Sequence, residues 1–225
     1  MPTRDRETRE RVLSAAAPLF ADRGFKKVTV REICRAARAN IAAVNYHFGG
    51  KGGLYREVLQ TAIETMRATS DAARRAGEGQ PADERLRRYI HVYLRRITSG
   101  GASVWIHRLI HREIADPTPA FDALVEQGMR PRIEDLSRLV AEILGCSPAD
   151  DRVPRCVASV QAQWVLYSPG AIASRLRPKL HLRAYDVDTV AQHIAEFSLA
   201  GIRAVAHLAA GTRVAKKPQS ISRRR

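Results

Sequence analysis

The chain has 225 residues, 45% of them apolar and 27% charged, which suits a globular protein with a real core and excludes wholesale disorder. Its 38 Lys and Arg outnumber 23 Asp and Glu, a net charge of +15 that favours a polyanionic partner, although an Arg-favouring genome accounts for part of the excess. No run of about 18 apolar residues occurs, and Met1 to Arg11 is too polar for a secretory signal; Cys34, Cys146 and Cys156 lie too far apart for a metal site. The expectation is a cytoplasmic protein with reduced thiols and no membrane partner.

Met1 to Arg11 reads as a charged arm, with Arg4, Arg6, Arg9 and Arg11 on it. It leads into a helix marked by Val12, Ala16, Leu19 and Phe20, ending at Gly24; Pro18 predicts a kink, at a cost of about 3 kcal/mol if interior. Phe25 and Val28 then pack beneath two short helices. Thr29 and Glu32 form a T-x-x-E capping box for the first, whose apolar stripe is Val30, Ile33, Cys34 and Ala37. Asn40 caps the second, turning Ile41, Val44 and Phe48 inward and leaving Ala42, Ala43, Asn45 and His47 outside. Such a face offers little bulk and one specific amide, as an element reading a DNA major groove requires.

A long helix is predicted from about Leu54 to Arg75, closed by the loop Gly77 to Pro81. Beyond it the chain reads as helical throughout, without strand alternation, so the fold class is all-α. Leu86, Ile90, Tyr93, Leu94 and Ile97 mark one helix, Trp105, Ile106, Leu109 and Ile110 the next. Phe121, Leu124 and Val125 open another, and Pro131 starts one that stops at Gly145. Two later stripes, Cys156, Val157, Val160, Trp164, Val165 and then Val190, Ile194, Phe197, Gly201, Val205, Leu208, form narrow seams that pair with other helices, across a dimer axis or within one subunit. The tail, 212–225, reads as disordered and basic.

Val28 to Leu59 resembles the helix-turn-helix signature of the TetR/AcrR family of bacterial transcriptional regulators, most specifically in Tyr46, His47, Phe48, Lys51, Leu54 and Tyr55. The resemblance implies a homodimer on double-stranded DNA, with a small helix-turn-helix domain (1–53), a connecting helix (54–76) and a larger helical domain (77–211) that dimerises and binds a small-molecule effector. Ile41, Ala42, Ala43 and Asn45 would meet bases; Thr29, Tyr46, His47 and Lys51 would meet phosphates, with Tyr46 as a core aromatic the alternative. Arg38 stands where the family places a turn glycine, and Gly50 and Gly52 replace the usual cap and acid around Lys51, which predicts a frayed start to the long helix.

Trp105 to Asp122 and Ser159 to Gln163 resemble the CecR branch of that family. This implies an effector pocket among Trp105, Leu109, His111, Gln163, Trp164 and Tyr167. The dimer surface would use Val160, Trp164, Val190, Ile194, Phe197, Gly201, Val205 and Leu208. A ligand-responsive repressor on a palindromic operator is the leading reading. Two alternatives are a non-specific architectural DNA binder and an enzyme built on His107, His111 and Glu113, though these lack the H-E-x-x-H arrangement, so neither metal nor cofactor is expected.

Overall fold

The computed structural model describes residues 3–100, 102–164, 167, 175–176, 178–179 and 186–214. Among them there is no strand. The helices are α1 (Thr3–Lys27), α2 (Val30–Ala37), α3 (Ile41–Phe48), α4 (Lys51–Ala76), α5 (Ala82–Thr98), α6 (Ala102–Ala115), α7 (Phe121–Ala123), a π-helical turn (Leu124–Met129), α8 (Arg130–Leu144), α9 (Arg152–Ala162) and α10 (Val187–Val214). None of the described helices is long and apolar enough to cross a membrane.

Two apolar cores organise the chain. The first gathers Val12, Phe20, Ile33, Val44, Leu54 and Val58 from α1 to α4, and α6 inserts Ile106 and Leu109 into it. The second is built by α5, α8, α9 and α10 around Leu86, Ile90, Leu136, Val140, Val157 and Ile194. The amphipathic period of each long helix dictates this layering, because a stripe three or four residues apart can be buried on one side only. α4 joins the two cores, packing on α1 at one end and on α5 along the rest.

Several local expectations are corrected. The charged arm is the opening of α1, where Arg6 pairs with Glu10 one turn on. α1 is interrupted at Gly24, whose φ of 80° and ψ of 162° no helix contains, whereas Pro18 sits exposed inside the helix. α4 begins directly at Lys51, with the Leu54 N–H donating to the Gly50 carbonyl at 3.1 Å, in place of a frayed start. Phe121 to Leu144 is one unbroken helical run, because Pro131 falls in the first turn of α8, where a missing N–H costs least, and the preceding turn widens to π geometry. α10 continues through Gly211 to Val214, so 212–214 are helical; the remainder of the expected tail lies outside the described residues.

The seam on the last helices divides. Val160, Trp164, Val190 and Ile194 are buried in the chain's own second core, so they are withdrawn as dimer-surface residues. Their burial follows from α10 lying along α5, which also covers Leu199 and Ile202 and leaves the stripe from Phe197 onward largely uncovered. There Phe197 is 65% and Leu208 73% exposed, with Gly201 open between them.

Candidate nucleic-acid interface

Thr29 Oγ1 accepts from the Glu32 N–H at 3.3 Å while the Glu32 carboxylate accepts from the Thr29 N–H at 2.8 Å, a complete capping box. Arg23 adds a bond to the same carboxylate at 2.7 Å. Arg23 and the Thr29 donors together lower the Glu32 pKa to about 2. α2 ends at Arg38 in the left-handed region, φ 50° and ψ 46°, so the turn keeps the glycine geometry without the glycine. Asn40 Oδ1 accepts from the Ala42 N–H at 3.0 Å and starts α3. Both short helices are thus fixed at their ends by side chains within three residues of the cap.

α3 buries Val44 and Phe48 and leaves Ile41, Ala42, Asn45 and Tyr46 exposed, Ala43 half-buried. Ile41, expected to face inward, points outward, joining the proposed base-contact face. Tyr46 is 74% exposed, against its reading as a core aromatic. His47 is the opposite case: its side chain is 3% exposed, with Nε2 3.3 Å from Asp5 Oδ1. Its expected outward position is corrected, because the first turns of α1 lie over it. Lys51 sits at the start of α4 with its ammonium 4.6 Å from the Phe25 ring centre, an arrangement that fixes the cation beside α3.

Sequence reasoning passed over Arg31, Arg35 and Arg56, and treated Arg38 only as a turn residue. All four are exposed and, among the described residues, none is paired with a carboxylate. Arg31 and Arg35 lie one turn apart on α2, where like charges repel, and a polyanion against that face relieves the repulsion. The i, i+4 spacing opposite the apolar stripe was the available signal.

The α3–α4 junction is close. A Cβ on Gly53 would fall 1.7 Å from the Phe48 carbonyl oxygen. α6 secures this unit from the other side: Arg112 donates to the carbonyls of Ala21 (3.3 Å) and Asp22 (2.7 Å), and Arg108 pairs with Asp22 at 2.7 Å. Tyr55 donates to the buried Glu113 carboxyl, whose other oxygen accepts from the Thr118 N–H at 3.2 Å and hydroxyl at 3.0 Å. Burial and that carboxyl push the Tyr55 pKa far up.

Residues 12–58 match the model of bacterial regulatory proteins of the TetR family, and residues 82–202 match the C-terminal domain of the HTH-type transcriptional dual regulator CecR. The CecR protein of Shigella flexneri is 30% identical over 161 residues, 68% of this chain and 72% of that one. The chain belongs to the TetR family. As a TetR-family protein with a CecR-type C-terminal domain, it is a DNA-binding transcriptional regulator. Its fold is shared with a TetR-like regulator from Rhodococcus sp. RHA1, TM-score 0.63 at 18% identity over 87% of this chain and 96% of that one. It is shared too with the ketosteroid transcriptional regulator KstR2 of Mycobacterium tuberculosis, TM-score 0.60 at 20% identity over 89% and 95%.

In this TetR-family chain the expected pocket residues do not converge. Leu109 is fully buried in the first core with Trp105 packed on that core's edge, and His111 is exposed on α6. Gln163 donates to Ser198 Oγ at 2.8 Å on the outer side of α9 and α10. Trp164 and Tyr167 belong to the second core. The reason is the orientation of α6, which turns Leu109 toward the DNA-binding end. Glu113, which stood behind the enzyme alternative, is engaged by Tyr55 and Thr118.

Proposed function

We propose that the chain is a ligand-responsive repressor that binds a palindromic operator as a homodimer. The head (1–53) reads DNA, the connecting helix (54–76) transmits, and the body (77–211) senses and dimerises. The observation that carries this reading is the outer face of α3: Ile41, Ala42 and Asn45 stand exposed on a capped helix whose opposite side is locked by Val44 and Phe48. A bidentate Asn45 contact with adenine is worth about 1 to 3 kcal/mol of discrimination, and the alanine methyls suit thymine methyls. Thr29, Tyr46, Lys51 and the unpaired arginines of α2 take phosphate positions around it.

A second copy seats against the exposed stripe of α10, where Phe197, Gly201 and Val205 flank a groove of about 350 Å³ between α9 and α10 and Leu208 stands exposed farther along. A twofold axis there uses the same patch on both protomers. The two α3 helices then have to stand about 34 Å apart to enter successive major grooves. An effector that prefers another spacing weakens DNA binding by its differential affinity, typically 1 to 3 kcal/mol.

Footprinting on DNA upstream of the protein's own gene tests the reading. Protection of an imperfect palindrome is expected, and Asn45→Ala relaxes preference at one position per half-site while leaving the unfolding midpoint unchanged. Protection blind to sequence, lost on deletion of Thr212 to Arg225, establishes the architectural alternative instead.

A further inference from the structure

A guanidinium lies inside the body among aromatic rings, at the meeting of α5, α8 and α9. Tyr89 and Tyr93, one turn apart on α5, stack with centroids 6.2 Å apart and planes 6° from parallel. Trp164 lies 4.8 Å from Tyr93 on its other flank, and the Arg132 Cζ sits 5.2 Å from the Tyr93 ring centre. Arg132 donates to the Tyr93 hydroxyl and, through Nη2, to Gln161 Oε1 at 3.1 Å.

What these partners leave over is informative. Among the described residues, the Arg132 Nε is buried without a hydrogen-bond partner, and so is the hydroxyl of Tyr89, a residue only 4% exposed. No carboxylate pairs with Arg132 among the described residues, and Asp135, one turn along α8, is taken by Arg138. Residues 165–185, which follow Trp164 in the chain, contain no Asp or Glu in their sequence. Across from it on α6, His107 is depressed to about 4 by burial, by His111 and by the Arg132 charge, so it is neutral at pH 7. Among the described residues, the protein therefore holds a partly enclosed cation whose only polar partners are a phenol and an amide.

A buried charge of this kind is costly unless an opposite charge completes it. The unbonded Nε edge of a guanidinium, with its neighbouring Nη, is a fork matched to a carboxylate. The Tyr89 hydroxyl supplies one more donor, and the Tyr93 hydroxyl still has its own proton to give. One cation, with neutral His107 beside it, balances one negative charge and not the two of a phosphate monoester. Resting on the effector-responsive reading above, we propose that Arg132, Tyr89 and Gln161 form the binding site for an amphipathic monocarboxylate effector. Its carboxylate lies on the Nε edge of Arg132 and its apolar part lies along Tyr93 and Trp164. α6 carries His107 toward this site and Leu109 and Glu113 toward the head, so occupancy bears on the helix that grips the DNA-binding unit.

The test uses full-length protein and matched probes, decanoate against decanamide and 1-naphthoate against 1-naphthamide, with tryptophan fluorescence as readout because Trp164 borders the site. At least one acid saturates with a Kd at least tenfold below that of its amide. Arg132→Gln brings that acid to the affinity of its amide, and Tyr89→Phe weakens it three- to tenfold. The proposal is overturned where neither acid binds, where acid and amide bind alike, or where Arg132→Gln keeps the preference. If Arg132→Gln does not fold, Tyr89→Phe and the wild-type comparison decide. Operator binding of the unliganded wild type is measured in parallel, so a failed acid test with operator binding intact refutes this site and leaves the regulator reading standing.

Discussion

The head and the body handle polar groups in opposite ways. In the head, Thr29, Glu32 and Asn40 lie at helix ends and bond to backbone close by, the core beneath is apolar apart from His47 and the Tyr55–Glu113 pair, and most of the side chains left over, Asn45, Tyr46, Arg31 and Arg35, face out. In the body, polar groups are drawn inside, with Arg132, Tyr89 and Gln161 packed among rings, while the outside of α10 presents Phe197 and Leu208. A surface that reads a polyanion needs fixed polar groups in water, whereas a sensor needs unmatched ones shielded from it. On the reading proposed above, the contrast matches recognition at one end and response at the other.

The strongest challenge to this division is Gly53→Ala. With 1.7 Å from the new Cβ to the Phe48 carbonyl, α3 and α4 have to separate, and the expected loss is about 3 kcal/mol or more in urea unfolding, with DNA binding lost too. A variant that kept operator affinity would show that the junction does not set the reading helix.

The body's buried base gives a pH signature. His107 is depressed from 6.5 to about 4, so between those values the unfolded chain binds a proton that the folded chain refuses. Stability therefore falls as pH drops from about 7 to 4 and levels below that, by up to about 3 kcal/mol, and His107→Gln flattens this part of the profile. A profile unchanged by the substitution removes His107 from the polar interior.

Tyr55→Phe probes the seam between the regions. It deprives the buried Glu113 carboxyl of one of its donors, and the expected destabilisation is about 2 kcal/mol by chemical denaturation. Smallest of all is Arg38→Gly, which relieves a left-handed residue and raises the unfolding free energy by about 1 kcal/mol or less. Removing the exposed charge also steepens the loss of DNA binding with salt less than wild type shows, by roughly one counterion.

The same contrast explains what the sequence disclosed. The capping box, the Asn40 cap and the inward Val44 and Phe48 are decided by residues within one or two turns, so spacing alone revealed them. His47 was misplaced because the residue that meets it, Asp5, comes from the far end of α1. The α10 stripe was visible as a stripe, but which half of it is covered depends on where α5 lies. The Arg132 cluster left no local trace at all: its members come from α5, α8 and the end of α9, and each alone is an ordinary helix residue. The expected pocket failed for the same reason, since Leu109 and His111 share α6 but not a destination.

The backbone contact at Gly53 has a mechanical corollary. With no side chain between them, the α3–α4 corner cannot hinge freely, and any swing of α4 is inherited by α3 as a rigid arm. The 26 residues of α4 make a rod about 39 Å long. Turned by ~5° about its distal end, such a rod sweeps its tip through ~3 Å, close to the ~3.4 Å rise of a single nucleotide along one strand. In the homodimer proposed above, a disturbance in the body far too slight to unfold anything would thus be enough to put the two α3 helices out of step with the thread of the duplex.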